Sequence, residues 1–133
     1  MNTMVAVKYD FVMLIDDNPM ENLVNQKLLD ANGFANKVST FESASASLAF
    51  LRSAKPEELP QVIFLDIIMP GMDGFEFLDE FQKMDPEIHK CCKIVLLSSS
   101  DSFKDLNRAN KNKFVKKFLN KPLTPEILNV VNV

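Results

Sequence analysis

Three short runs of apolar residues constrain the fold of this chain more than any other feature. They are Phe11–Ile15, Val62–Leu65 and Ile94–Leu97, and no polar residue interrupts them. Runs of this length are typical of strands that are buried on both faces, as in a parallel sheet covered by helices. A polar residue directly follows each run. The sequence therefore predicts an α/β domain whose strand ends carry the polar chemistry.

Helical patterns separate these runs and complete an alternating order. Asn18 and Pro19 predict the start of a first helix, as its N-cap and first-turn residue, and Gly33 predicts its end. Weaker strands are predicted over Lys37–Phe41 and Val115–Leu119. Four further helices are predicted over Ser43–Ser53, Phe75–Met84, Asp101–Ala109 and Thr124–Val131, and the segments 55–60 and 67–74 are predicted loops. Five strand–helix units in succession predict one domain with a central parallel sheet.

The carboxyl ends of the predicted strands bring several charged side chains together. Asp16 and Asp17 follow the first strand, Asp66 the third, Ser98 the fourth and Lys121 the fifth. Three carboxylates in one place repel one another, and a divalent cation relieves that repulsion. An all-oxygen ligand set favours Mg²⁺ over zinc, and a neighbouring lysine provides a positive charge for a phosphate group. This combination suits a carboxylate that accepts a phosphoryl group.

Composition limits the functions that are open to the chain. Its 133 residues are 47% hydrophobic and 25% charged, and the formal net charge of −3 argues against nucleic acid as a direct partner. No apolar run approaches the ~20 residues of a membrane helix, and the first ten residues do not resemble a secretion signal. We therefore expect a cytoplasmic protein with no membrane partner, in which Cys91 and Cys92 remain reduced.

Charge is unevenly distributed along the chain. Segment 57–87 carries nine acidic residues against Lys83 alone, a net charge of −8, whereas segment 104–121 carries seven basic residues against Asp105 alone, a net charge of +6. Two regions of opposite charge on a small domain suggest a surface that meets protein partners. The alternative is that both regions are solvated helix faces and loops.

Together, these residues resemble the receiver domain of two-component response regulators. The similarity rests on the pair Asp16-Asp17, on the segment 66–74 with the sequence DIIMPGMDG, on Ser98 and on Lys121-Pro122. It extends from about residue 9 to residue 133, nearly the whole chain. The resemblance implies a flavodoxin-like (βα)5 fold, a doubly wound parallel sheet of five strands in the order 2-1-3-4-5. It also implies a single receiver domain over residues 1–133.

The resemblance further implies a phosphorylation site that depends on a metal ion. Asp66 is then the phosphoacceptor for a histidine kinase or histidine phosphotransfer protein, and Mg²⁺ is the cofactor. Asp17 and Asp66 are expected to bind the ion directly, Asp16 mainly through water, and Ile68 through its backbone carbonyl. We expect no catalysis beyond the protein's own phosphorylation and dephosphorylation.

A conformational switch is also implied. Lys121 is expected to pair with the acceptor carboxylate and then with the phosphoryl oxygens, and its peptide bond to Pro122 is expected to be cis. The Ser98 hydroxyl is expected to bind the phosphoryl group. Phe118, at the aromatic switch position, is expected to turn inward when Ser98 moves, with plain core packing as the alternative. The output would pass to an unknown downstream protein through the fourth helix, the fifth strand and the fifth helix of the predicted order.

Two other functions are compatible with parts of the pattern. A pseudo-receiver would bind partners without being phosphorylated, but all five motif positions are intact. A haloacid-dehalogenase-like phosphatase needs a second aspartate two residues after its nucleophile, where this chain has Ile68.

Some residues depart from the family pattern or match no part of it. Many receivers carry Gly-Ala before the fifth strand, where this chain has the segment 110–113, and the last helix is short for the family. Ile68 and Ser100 flank the path expected for a hydrolytic water, and neither positions water well, which predicts a long-lived phosphoryl group. His89 matches no motif position and is expected at the surface.

Overall fold

A computed structural model describes residues 7–99 and 103–133 of the chain. The strands are β1 (Tyr9–Ile15), β2 (Ala35–Phe41), β3 (Val62–Asp66), β4 (Lys93–Ser98) and β5 (Val115–Asn120). The α-helices of the described residues are α1 (Pro19–Ala31), α2 (Ala44–Ser53), α3 (Gly74–Gln82), α4 (Pro86–Cys91), α5 (Phe103–Asn110) and α6 (Pro125–Val130), and a 3₁₀ turn covers Pro56–Glu58.

The five strands form one parallel sheet in the order β2-β1-β3-β4-β5. This order confirms the predicted flavodoxin-like arrangement. The register aligns the strand ends, with Ile15 opposite Leu65, Asp66 opposite Leu97, and Ser98 opposite Asn120. The polar residues that follow the strands therefore share one edge of the sheet, where ligands bind in open α/β folds.

Two apolar cores lie on opposite faces of the sheet and make the fold doubly wound. One core joins α2 and α3 to the sheet through residues such as Leu48, Phe77 and Phe81. The other joins α1 and α6 to the sheet through residues such as Leu29 and Leu128. The central strands are buried on both faces, which explains why their sequences are uninterrupted apolar runs.

The helix starts follow the polar caps in the sequence. The side chain of Asn18 accepts hydrogen bonds from the backbone nitrogens of Met20 and Glu21, with Pro19 in the first turn. Thr124 caps α6 in a similar way, again with a proline directly after the cap. A cap followed by proline is favoured because proline lacks only an N–H that has no partner in the first turn.

Helix α4 was not among the helices predicted from the sequence. Asp85 accepts a hydrogen bond from the backbone nitrogen of Glu87, and Pro86 occupies the first turn. The same cap-and-proline pattern was present in the sequence, but six residues are too few to form a recognisable apolar stripe.

His89, on α4, is half-buried, so its predicted surface position was wrong. Its Nε2 atom lies 2.6 Å from the backbone oxygen of Phe81, and its ring lies 4.4 Å from the ring of Phe114. Because a carbonyl only accepts hydrogen bonds, Nε2 carries the hydrogen. His89 therefore ties α4 to the end of α3.

None of the helices in the described part of the chain combines the length and apolar character that crossing a membrane requires.

Candidate functional site

Three aspartates meet at the carboxyl edge of the sheet. Asp16 and Asp17 follow β1, and Asp66 is the last residue of β3. Carboxylate oxygens of the three side chains lie within 4.8 Å of one another. Asp16 and Asp66 are 3% and 4% exposed, whereas Asp17 is exposed to solvent. These three aspartates form the predicted acidic edge of the sheet, in which two side chains are buried and the third is open to solvent.

The first turn of α1 fixes the position of Asp16. The backbone nitrogen of Asn18 donates to Asp16 Oδ1 at 2.9 Å. The buried Asn22 side chain donates through Nδ2 to the backbone oxygens of Asp16 and Phe41, at 2.9 and 3.2 Å. These bonds join the ends of β1 and β2 to α1, so the acidic loop is held by the helix that follows it.

The loop after Asp66 depends on a glycine for its close packing. The backbone nitrogen of Gly74 donates to the backbone oxygen of Ile67 at 2.8 Å. A Cβ atom at position 74 would lie 2.9 Å from both the backbone oxygen of Asp66 and the Cα atom of Ile67. Such a contact is too short, so glycine allows α3 to begin directly against the acidic strand end.

Lys121 brings a positive charge into the cluster. Its Nζ atom lies 2.8 Å from Asp16 Oδ2, 3.2 Å from Glu21 Oε2 and 3.4 Å from Asp66 Oδ2. Its side chain is 13% exposed, and its peptide bond to Pro122 is cis, as the resemblance implied. The ammonium group thus lies nearer to Asp16 and Glu21 than to Asp66. Glu21 was not among the site residues predicted from the sequence.

Burial dominates the electrostatics of Asp66. Burial, together with the charge of Asp16, outweighs the opposing effects of Lys121 and the Ile68 backbone N–H, and the net result raises the pKa of Asp66 to about 6. Burial also lowers the pKa of Lys121, but the hydrogen bond to Asp16 and the charges of Asp66 and Asp16 outweigh it, so that the pKa is raised. The ammonium group therefore remains charged.

Ser98 and Phe118 lie on the two strands beyond Asp66. Ser98 is 1% exposed at the end of β4, and its backbone oxygen accepts a hydrogen bond from the backbone nitrogen of Lys121 at 2.8 Å. Phe118 lies opposite Leu96 and is half-buried against the core on the α2–α3 side. Both positions are compatible with the roles that the resemblance implies, and core packing alone accounts for Phe118 in this state.

Ile68 and Ser100 are the two positions expected beside the hydrolytic water. The Ile68 side chain is 59% exposed at the acidic edge. Ser100 lies outside the described residues.

The sequence of the chain matches a family model over residues 12–131, and that model describes the response regulator receiver domain. The chain belongs to this family. The receiver is 29% identical over 119 residues to the probable methanogenesis regulatory protein FilR2 of Methanothrix harundinacea, covering 88% of this chain and 75% of that protein. It is 26% identical over 123 residues to the hybrid signal transduction histidine kinase C of Dictyostelium discoideum, covering 90% of this chain but 10% of the kinase.

Solved structures agree with the fold of this receiver. A two-component response regulator from Cytophaga hutchinsonii superimposes with a TM-score of 0.83 at 31% sequence identity, and the match covers 92% of each chain. The sheet order and the packing of helices on both faces are therefore those of a receiver domain.

The donor set of the acidic edge fits Mg²⁺. All three side chains that meet there offer carboxylate oxygens, and the exposed Asp17 leaves one side open to water. Mg²⁺ prefers oxygen ligands, typically one or two carboxylates, and retains several waters. The edge therefore has the chemistry that receiver domains typically use for this ion.

Proposed function

We propose that this receiver accepts a phosphoryl group on Asp66, in a Mg²⁺-dependent transfer from a histidine kinase or a histidine phosphotransfer protein. The observation that carries the proposal is the position of the Asp66 carboxylate. It is buried at the end of a central strand, in one cluster with Asp16 and Asp17, and lies 3.4 Å from Lys121 Nζ. An oxygen of Asp66 would form a bond to phosphorus while the bond from phosphorus to the donor's imidazole nitrogen breaks.

The surrounding residues have distinct roles in this proposal. Mg²⁺ bound by Asp16, Asp17, Asp66 and the Ile68 backbone carbonyl would neutralise the negative charge of the carboxylates and the phosphoryl oxygens. The Lys121 ammonium would bind a phosphoryl oxygen, since it already lies beside the acceptor. The Ser98 hydroxyl would donate to another phosphoryl oxygen from the end of the adjacent strand.

Acetyl phosphate tests this proposal without a protein donor. We expect the intact mass of the wild type to rise by one phosphoryl group in the presence of Mg²⁺, and we expect no gain for Asp66→Asn. A wild type that gains no mass would instead favour the pseudo-receiver function. An Asp66→Asn protein that still gains the phosphoryl mass would refute the assignment of the acceptor.

Helix α1 carries an exposed apolar face beside the acidic edge. Met20, Leu23 and Val24 form one exposed face of α1, with side chains 65%, 46% and 58% exposed. Met20 and Val24 also line a shallow hollow of about 190 Å³ that includes Lys121. We propose that the helix bearing the donor histidine packs on this face, because the hollow is lined by Lys121, which lies beside the proposed acceptor Asp66.

A charged residue introduced on this face tests docking of the phosphodonor separately from the phosphoryl transfer itself. Val24→Glu should slow transfer from a phosphorylated histidine phosphotransfer protein and leave phosphorylation by acetyl phosphate unchanged. Val130→Glu is the matched control, because Val130 is 57% exposed at the last residue of α6, outside the exposed face of α1. Equal transfer rates for the two variants would contradict docking on α1.

We further propose that the output surface consists of α5, β5 and α6, and that its downstream partner is an acidic protein. Lys104 and Lys116 are exposed on this surface, within the segment of net charge +6. Opposite charge on a partner would favour encounter and orientation. Residues 1–133 would form one receiver domain that acts in the cytoplasm, with no catalysis by this domain beyond its own phosphorylation and dephosphorylation.

A further inference from the structure

The Lys121 ammonium is saturated with acceptors. An ammonium group has three N–H donors, and three carboxylates surround this one. Asp16 is nearest at 2.8 Å, both oxygens of Glu21 follow at 3.2 and 3.3 Å, and Asp66 is farthest at 3.4 Å. A further acceptor can therefore bind Lys121 only by displacing one of these three.

Glu21 differs from the other two carboxylates around Lys121. It lies in the first turn of α1, and its side chain is 43% exposed. Asp16, Asp17 and Asp66 are the residues that group as a possible metal site among the described residues, and Glu21 is not one of them. Glu21 therefore contacts Lys121 but does not belong to the three aspartates that could bind an ion.

We propose that Glu21 is a positioning residue that competes with the phosphoryl group of Asp66 for the Lys121 ammonium. This inference rests on the proposed phosphorylation of Asp66. The new phosphoryl oxygens approach from the Asp66 side, and Lys121 must give up part of its present contacts to bind them. Because the Glu21 contact stabilises the ammonium before transfer, it favours the unphosphorylated state and slows phosphorylation.

Two variants of Glu21 distinguish the effect of its charge from the effect of its contact with Lys121. Glu21→Gln keeps the side-chain length and removes the charge, whereas Glu21→Asp keeps the charge and shortens the side chain by one methylene, which withdraws it from Lys121. Asp30→Asn is the control, because it removes one negative charge from the other end of the same helix, about 13 Å away at 1.5 Å per residue.

The measurement is the rate of phosphorylation by acetyl phosphate at saturating Mg²⁺, followed by intact mass. In this reaction the bond from phosphorus to the acetyl oxygen breaks, the bond to an Asp66 oxygen forms, and acetate leaves. We expect Glu21→Gln and Glu21→Asp to react about 2- to 5-fold faster than the wild type, the size of effect expected for a partly exposed ion pair. Asp30→Asn should react at the wild-type rate.

A purely structural role for Glu21 would give a different pattern. The carboxylate at position 21 also interacts with the amino end of the α1 dipole, so Glu21→Asp should retain more stability than Glu21→Gln in urea unfolding. If Glu21 only stabilised the helix, the phosphorylation rates of the two variants would follow the order of their stabilities. Competition for Lys121 predicts that both variants are faster whatever their stability.

Several outcomes would overturn the inference. The first is that both Glu21 variants react at the wild-type rate. The second is that Asp30→Asn accelerates phosphorylation as much as Glu21→Gln does. The third is that Glu21→Gln accelerates phosphorylation and Glu21→Asp does not. The last result would indicate general repulsion of the anionic donor rather than contact with Lys121. Failure of the wild type to gain any phosphoryl mass would instead be a failure of the proposed function.

Discussion

Asp66 illustrates how one buried residue makes stability depend on pH. Its pKa is raised from an ordinary 3.8 to about 6, so the folded protein retains a proton that the unfolded chain loses. Stability therefore falls as pH rises from about 4 to about 6. Without metal, Asp66→Asn should have little effect on stability near pH 4 and should stabilise the protein above pH 6. At 1.36 kcal/mol per pKa unit, the gain has an upper limit of about 3 kcal/mol.

Urea unfolding in EDTA across pH 4 to 8 measures this dependence. Asp79→Asn is a suitable control, since Asp79 is exposed on α3 and should give no comparable gain. If the gain in stability of Asp66→Asn over the wild type were the same at pH 4 and pH 8, burial of the Asp66 charge would not be the cause of that gain.

At the scale of the elements, the start of α3 couples packing to the position of Asp66. A Cβ atom at position 74 would lie 2.9 Å from the Asp66 backbone oxygen, so Gly74→Ala must displace either the strand end or the helix. We expect a loss of about 1–3 kcal/mol in stability, as for other overpacking changes, and slower phosphorylation by acetyl phosphate.

Gly71 provides the control for this effect. It has a φ of +81°, and a Cβ atom there would meet nothing within 4 Å. Asparagine tolerates such a backbone conformation better than most residues, so Gly71→Asn should lose less stability and keep a near-normal rate. A Gly74→Ala protein that reacts and unfolds like the wild type would contradict the close-packing explanation.

On strand β5, the expected switch role of Phe118 can be tested by NMR. Phe118→Ala should still be phosphorylated but lose the NMR shift changes that phosphorylation causes on α5, β5 and α6. Phe114→Ala is the control, because Phe114 packs against the same core from the position just before β5. If Phe118→Ala retained wild-type shift changes, Phe118 would be a core residue without a role in coupling.

The elements also differ in how far the sequence could predict them. The buried strands were predicted within one or two residues, because burial on both faces leaves an apolar run that nothing else in the chain resembles. Helix α4 was missed because its Asp85-Pro86 cap was its sole indication. Strand order did not follow from periodicity, which indicates parallel strands but not their neighbours, and came from the resemblance to receiver domains.

For the molecule as a whole, the backbone topology explains why most of the acidic edge was predictable. Parallel strands end at the same edge, so Asp16, Asp66 and Lys121 had to meet whatever their side-chain details. Glu21 could not be predicted in this way. Its contact with Lys121 depends on how α1 is rotated against the sheet and on the reach of two long side chains, both of which are set by tertiary packing.

The same clustering predicts that Mg²⁺ stabilises the entire domain. A ligand that binds the folded state alone adds RT ln(1 + [L]/Kd) to stability, about 2.7 kcal/mol at 100 times Kd, which raises Tm by several degrees. Asp17→Ala should remove most of this Mg²⁺-dependent rise. It should also raise the Tm of the metal-free protein, because it relieves repulsion among three carboxylates whose oxygens lie within 4.8 Å.

Thermal unfolding with Mg²⁺ and with EDTA measures both effects in the same samples. Asp10→Ala serves as the control, since Asp10 is exposed on β1 about 20 Å from the acidic edge at 3.3 Å per residue. It should keep the full Mg²⁺-dependent rise in Tm. An unchanged wild-type Tm in millimolar Mg²⁺ would refute the ion site. A Mg²⁺-dependent rise that survives in Asp17→Ala would refute the role of Asp17 within it, because the ion would then bind without the exposed member of the three carboxylates.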